Sequence, residues 1–270
     1  MEWTFPAAAP LRADLELPSG SIDVTLAPTE EIRVSLEPVG AMTEKAREQI
    51  ESARVTFDGQ HLVVEIPKLR LRDVPLRLTV LLPPQSTLTC STASADITTT
   101  GVVGPFGART ASGDVLFDGV CDLCDVTTAS GVVRLGDVLG EGRVKTASGD
   151  IVVASIGGRA AIDTASGDVQ VGQAASDVRV RTASGDIRLS HVSQGHLSVN
   201  SASGDVIIGV AQGVGTWLDI ITVSGSTKCT LPTESSGEAE AALRISCRTV
   251  SGDVRIDTGD IPTSLSQRWA

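Results

Sequence analysis

Thr-Ala-Ser-Gly-Asp stands at 146–150, again at 164–168 and again at 182–186. Read outward, the same unit precedes as Thr-Ala-Ser-Ala-Asp at 92–96, Thr-Ala-Ser-Gly-Asp at 110–114 and Thr-Ala-Ser-Gly-Val at 128–132. It follows as Ser-Ala-Ser-Gly-Asp at 201–205, Thr-Val-Ser-Gly-Ser at 222–226 and Thr-Val-Ser-Gly-Asp at 249–253. The central serines are Ser94, Ser112, Ser130, Ser148, Ser166, Ser184, Ser203, Ser224 and Ser251, spaced by 18 five times and then by 19, 21 and 27. A fixed period of this length marks a repeat architecture.

Alignment on the serines exposes apolar columns. Three residues on stand Ile97, Val115, Val133, Ile151, Val169, Ile187, Val206 and Val254; two further on, Phe117, Leu135, Val153, Val171, Leu189, Ile208 and Ile256. Four residues before the serine the column holds Val126, Val144, Ile162, Val180, Val199, Ile220 and Cys247, and eight after it Val102, Val120, Val138, Ile156, Ala174, Val192 and Ala211. Apolar positions two apart describe strands with one buried face. Eighteen residues leave no room for a packed helix between parallel strands. The expected fold is therefore all-β, a parallel β-solenoid with rungs stacked about 4.8 Å apart. Each Asp then accepts amides of its own turn, while the Ser and Thr ladders hydrogen-bond along the stack.

Three segments are expected: a β-rich stretch over 1–84, the repeats over 85–258 and a C-terminal cap over 259–270. Leu15, Ser19, Gly20, Ile22 and Val24 imitate a rung. The run 43–54 reads as a single helix with Thr43 as N-cap, a counterpart cap at the other end. Residues 232–240 read as a polar surface loop, and the rung around Ser251 as the last one, covered by a tail holding Pro262, Leu265 and Trp269.

Composition narrows function. The net charge is −11, with 22 basic and 33 acidic residues, four Phe, three Trp and no Tyr. Nucleic-acid binding calls for a basic surface and stacking platforms, so no nucleic-acid partner is expected. No run of apolar residues reaches membrane-spanning length, so no membrane insertion is expected. The start, Met1 to Pro6, lacks a basic stretch followed by an apolar run, and five cysteines do not make a complete disulfide set. A cytoplasmic location follows as the expectation.

The Ser-Gly-Asp-Val/Ile rungs, the strand-rich start and the single early helix resemble a bacterial family of β-strand-repeat proteins labelled "putative adhesins", a domain family of unknown function. The resemblance spans nearly the whole chain and implies a β-solenoid with no established catalytic residues. A weaker likeness is to bactofilins, cytoskeletal β-helices of similar rung length.

The first candidate site is the surface ladder Asp96, Asp114, Asp150, Asp168, Asp186, Asp205 and Asp253. Stacked carboxyls about 5 Å apart match the separation in retaining glycosidases, and Asp-rich turns can gather Ca²⁺. Against both, two such charges repel by only about 0.9 kcal/mol in water, so a turn role is not excluded by crowding. Val132 and Ser226 interrupt the acidic column whereas the serine column is unbroken, which favours structure. Cys121 and Cys124 have a metal-like spacing, but Cys90, Cys124, Cys229 and Cys247 fall in core columns and only Cys121 outside. His191 and His196 read as exposed members of one connecting loop. Arg109, Arg143, Lys145, Arg179, Arg181 and Arg248 fall outward on the strand before the turn, a candidate partner face. The expectation is a non-catalytic interaction module or scaffold, without cofactor, binding a protein partner or its own copies. The alternatives are a polysaccharide-acting enzyme using the Asp ladder and a divalent-ion-binding roll.

Overall fold

The computed structural model describes residues 1–7, 10–68, 74–232 and 241–259. The chain divides into two compact units, Met1–Gly136 and Asp137–Ala270. Each is built from the short alternating strands that the columns predict, and the fold is a β-solenoid. Among the described residues no helix is long and apolar enough to cross a membrane.

The first unit runs β1 (Glu2–Pro6), β2 (Arg12–Leu17), β3 (Gly20–Leu26), β4 (Glu31–Pro38), α1 (Glu44–Glu51), β5 (Arg54–Phe57), β6 (His61–Glu65), β7 (Leu76–Leu82), β8 (Thr87–Thr92), β9 (Asp96–Arg109) and β10 (Val115–Thr127); β11 (Val133–Val138) spans the division. Its rungs do not stack in chain order. The rung β2–β3 lies between β6–β7 and β8–β9, all parallel: Leu15 faces Val64 on one side and Cys90 on the other, and Ile22 faces Leu78 and Ile97. The outer rung is then covered by antiparallel strands, β5 on β6, β4 on β7 and β1 on β4. The helix expected at 43–54 is α1, where Thr43 Oγ1 accepts the Ala46 amide at 3.2 Å and Ala46, Gln49 and Ile50 are buried. Strands therefore do the covering that the sequence reading gave to the helix.

β9 and β10 each serve two rungs, the second side of one and the first side of the next. The corner inside β9 is Gly101, at φ +109°. A Cβ there would stand 2.2 Å from the Leu26 carbonyl oxygen, so only glycine fits. The alternation of Ile97 and Thr99 runs through the corner in phase, where the later rungs change phase as at Val153 and Ile156. Val103 and Cys121 are buried, while Val102 is 45% exposed, correcting the column that placed Val102 and Val120 inside. At the far end of the same column Val210 is buried in place of Ala211. Phe106 and Phe117 stack at 5.1 Å between ring centroids in this unit's core.

The second unit continues with β12 (Gly142–Lys145), β13 (Ile151–Ile156), β14 (Ala160–Asp163), β15 (Val169–Ala174), β16 (Val178–Ser184), β17 (Ile187–Val192), β18 (Gly195–Ser203), β19 (Val206–Val210), β20 (Thr216–Ser224), β21 (Thr227–Cys229), β22 (Leu243–Ser251) and β23 (Val254–Thr258). Ile151, Val169, Ile187, Val206 and Val254 stand in register, as do Val144, Ile162, Val180, Val199 and Cys247. Each buried aliphatic of this kind contributes about 1.5–3 kcal/mol.

Chain order fails here as well. β22 pairs with β18 on one side and β20 on the other, so Ile245 faces both Leu197 and Leu218. β23 likewise pairs with β19 and β21. The rung around Ser251 is intercalated, and the rung around Ser224 is outermost, which corrects the expectation that Ser251 closes the stack. Of the polar loop only Pro232, and of the proposed cap only Gly259, fall within the described residues.

Candidate functional site

The Asp ladder is a chain of hydrogen bonds between rungs. In the first unit Asp96 Oδ1 accepts the amide of Asp114 at 2.9 Å, and Asp114 Oδ1 that of Val132 at 2.8 Å. In the second, Asp150 accepts from Asp168, Asp168 from Asp186, and Asp186 from Asp205, each at 2.9 Å. Asp205 then accepts from Asp253 at 2.8 Å, and Asp253 from Ser226 at 2.7 Å. This corrects the expectation that each Asp serves its own turn. It also explains why Val132 and Ser226 are tolerated: the next rung supplies only an amide, which any residue but proline has. Ser226 ends the chain of acceptors on the outermost rung.

The turn itself is held by threonine. Thr110, Thr128 and Thr146 Oγ1 accept the amides of Gly113, Gly131 and Gly149 at 2.9–3.1 Å. From Thr182 onward the geometry changes, and Thr182, Ser201 and Thr249 donate to the carbonyls of Ser184, Ser203 and Ser251. The Thr164 hydroxyl, buried between the two kinds of turn, has no partner. These hydroxyls act within a rung, whereas Thr222 and Ser94 donate along the stack as the sequence reading expects, to the Gly252 and Pro18 carbonyls at 3.5 Å. The glycine beside them is sterically required: a Cβ at Gly167 would lie 2.2 Å from the Gly149 carbonyl oxygen.

Chemistry at the ladder is constrained by these bonds. The Ser226 amide and hydroxyl hold the exposed Asp253 carboxyl below its ordinary value, the opposite of what a general acid needs. Among the described residues no group of three His, Cys, Asp or Glu side chains converges.

The other candidates are rearranged by the fold. Cys121 is buried and Cys229 exposed, the reverse of the sequence assignment. The reason is the alternation of Val115 and Phe117 running unbroken through the β10 corner for the first, and the position of β21 on the outermost rung for the second. Cys124 is buried against Cys121; their hydrogen bond and desolvation raise its thiol pKa well above the usual range, and burial pushes Cys247 up to about 11. These are inert core thiols. His191 lies on β17 and His196 on β18, strands and not the loop the sequence reading expected. His61, on β6, meets Asp14 on β2 at 2.7 Å, with Arg12 on the same carboxylate at 3.0 Å. Partial burial works against the Asp14 charge, but these bonds prevail and its pKa is lowered. No sequence signal could find this dyad, because it depends on β2 being inserted beside β6.

Arg109, Arg143, Lys145, Arg179, Arg181 and Arg248 are all exposed. Arg109 approaches Asp125 at 3.9 Å and Arg248 pairs with Asp219 at 3.3 Å. On the second unit Lys145, Asp163, Arg181, Asn200 and Arg248 share one register row, and Arg143, Ala161, Arg179 and Ser198 the next. Arg143, Lys145, Arg179 and Arg181 make no salt bridge among the described residues. They lie on a strip of mixed charge, with Asp163 in register between Lys145 and Arg181, on a chain of net charge −11.

Comparison with known proteins completes the description. A family model described as Toastrack DUF4097 matches residues 13–174 and, overlapping, 157–267. Among solved structures the chain is similar to a "putative adhesin" from Parabacteroides distasonis, with TM-score 0.48, 11% identity and 96% of each chain covered. It is also similar to a "putative lipid binding protein" from the same organism, with TM-score 0.45, 11% identity and 96% of each chain covered. A "putative adhesin" from Parabacteroides merdae gives TM-score 0.41 and 9% identity over 95% of each chain. No curated protein matches the chain.

Proposed function

The chain belongs to the Toastrack DUF4097 family, and from that premise we propose that it is a non-catalytic interaction module whose long outward sheet faces dock a protein partner. The observation that carries the reading is how the carboxylates are used. The seven ladder aspartates each accept a backbone amide of the next rung. They hold the stack together and leave the outward strands as the functional surface. The docking face is the strip of Arg143, Lys145, Arg179 and Arg181, spaced by the rung repeat, in which four cations surround the single carboxylate of Asp163. Such a strip fits an acidic protein segment better than an apolar one. Its side chains are exposed, so they can be exchanged without disturbing the core.

The test is affinity capture from the native host with wild-type protein and with Arg179→Glu/Arg181→Glu, followed by mass spectrometry and direct binding. Wild type should retain a partner that the variant binds about tenfold or more weakly, the scale of roughly 1.4 kcal/mol. Equal retention by both removes this face from the proposal. Turnover of a polysaccharide that is abolished by Asp168→Asn would replace the module with an enzyme.

A further inference from the structure

The cations on the outward face of the second unit alternate with its strands. In spatial order these strands are β12, β14, β16, β18, β22 and β20. One register row across them reads Lys145, Asp163, Arg181, Asn200, Arg248 and Ile221, and the next Arg143, Ala161, Arg179, Ser198, Ser246 and Asp219. Positive charge in these rows therefore falls on β12, β16 and β22, while β14 and β18 between them carry small, polar or acidic side chains. Arg159, just before β14, is paired with Asp177 at 3.8 Å. Past Arg248 the face turns apolar, with Ile221, Val223 and Val250 exposed by 50%, 77% and 56%. Val223 and Val250 are neighbours, lying between the register pairs Thr222–Thr249 and Ser224–Ser251. Exposed aliphatic side chains gathered in one patch mark an interaction site.

We propose that this face takes an acidic segment in the polyproline II conformation, with a carboxylate at every third residue over the cationic strands and an apolar residue in the following turn on Ile221, Val223 and Val250. The inference rests on the reading of the strip as a docking face and names what docks there. Strands about 4.8 Å apart put the cationic ones about 9.6 Å apart. Polyproline II has three residues per turn and rises about 3.1 Å per residue, so one of its faces repeats about every 9.3 Å. A β-strand repeats about every 6.7 Å and falls out of step at the second contact. A helix presents every seventh residue about 10.5 Å apart, which is about 2 Å out across the three cationic strands. Polyproline II also leaves its backbone to water, as docking on a sheet face requires, because the amides and carbonyls of these strands are committed to their ladders. Asp163 repels a carboxylate placed over β14, which selects a spaced pattern over a continuous acidic run. The Arg248–Asp219 pair at 3.3 Å is exposed, so little is lost when an incoming carboxylate displaces Asp219.

The test is direct binding of synthetic peptides to the full chain, read by fluorescence anisotropy. The first peptide repeats Glu-Pro-Pro three times and ends in Leu-Phe. The second holds the same residues with its glutamates consecutive, and the third replaces the Leu-Phe end by Ser-Ser. The first should bind wild type about tenfold or more tightly than either of the others, roughly 1.4 kcal/mol. Val223→Ser/Val250→Ser should remove its advantage over the third while leaving the affinity of the third unchanged, which also shows the variant to be folded. Arg179→Glu/Arg181→Glu should weaken all three. Equal binding of the first and second peptides to wild type overturns the spaced segment and leaves the strip as a docking face. Indifference of all three to Arg179→Glu/Arg181→Glu overturns both readings. Capture of anionic phospholipid vesicles by wild type and not by that variant, with no peptide bound, would assign the face to a membrane surface and overturn the segment.

Discussion

Asp168 Oδ1 accepts the backbone amide of Asp186 at 2.9 Å, one rung further along the stack. The same Asp168 donates its own amide to Asp150 Oδ1 at 2.9 Å, so it receives from one neighbour and gives to the other. Asp114, Asp186, Asp205 and Asp253 do the same, while Asp96 and Asp150 only accept, so surface side chains perform inter-rung bonding that backbone carbonyls perform inside the strands.

Asp168→Asn keeps an acceptor oxygen, and Asp168→Ala removes it but leaves the orphaned amide open to water. The expected losses are under about 0.5 kcal/mol for Asn and about 1 kcal/mol for Ala. Val169 is fully buried in the next position, and Val169→Asp should cost several kcal/mol by placing a charge in a packed column. Chemical denaturation of the three variants orders them. Comparable small losses for Val169→Asp and Asp168→Ala would show the inward and outward assignments to be wrong.

Gly167→Ala should be severe for a reason unrelated to backbone freedom, because the new Cβ would meet the Gly149 carbonyl oxygen at 2.2 Å. Neither backbone can retreat without breaking the rung above or below, so a loss of about 2–3 kcal/mol is expected. Gly215 has nothing within 4 Å of its would-be Cβ, and Gly215→Ala serves as the mild control. Thermal melts of both decide the matter, and a neutral Gly167→Ala would mean the rungs stand further apart.

Much of this arrangement is legible in the sequence, and the missing part has two causes. The columns through Val169 and Val171 survive because a period of two within a period of eighteen leaves few alternatives. Rung order is not legible, since every rung presents the same aliphatic columns and β22 fits against β18 as well as β20 does. The 27-residue interval between Ser224 and Ser251 is the single hint that the last rung returns past its predecessor. Cys121 departs from its column for a local reason, the alternation carried unbroken through the corner of a continuous strand. The His61–Asp14 contact was invisible because it exists only once β2 has been inserted.

The acid side of the stability profile should depend on Asp253. Its carboxyl is lowered from the ordinary 3.8 by the Ser226 amide and hydroxyl, so the folded state binds the proton less readily than the unfolded chain. The stabilisation is complete above the unfolded value and is lost as pH falls below it through the folded one. Asp253→Asn should therefore lie below wild type at pH 6 and approach it toward pH 2–3. Denaturation midpoints across that range test it, and parallel profiles for the two proteins would dissociate Asp253 from the acid limb.

Rung order itself can be read by cross-linking. Ser203 stands in register with Ser251, and Ser251 with Ser224, so Ser203 and Ser224 are two rungs apart despite being neighbours in the repeat sequence. Adjacent parallel strands lie about 4.8 Å apart, inside the roughly 4.4–6.8 Å window between Cα atoms for a disulfide; two rungs, near 10 Å, fall outside it. In a Cys229→Ser background, Ser203→Cys/Ser251→Cys should oxidise readily under mild conditions and shift on a non-reducing gel. Ser203→Cys/Ser224→Cys should stay reduced under the same treatment, while Ser224→Cys/Ser251→Cys should close. All three sites are exposed, so failure to form a bond reports distance and not access. If Ser203→Cys joins Ser224→Cys in preference to Ser251→Cys, the rungs stack in chain order. The Ser224 rung would then be interior to the stack.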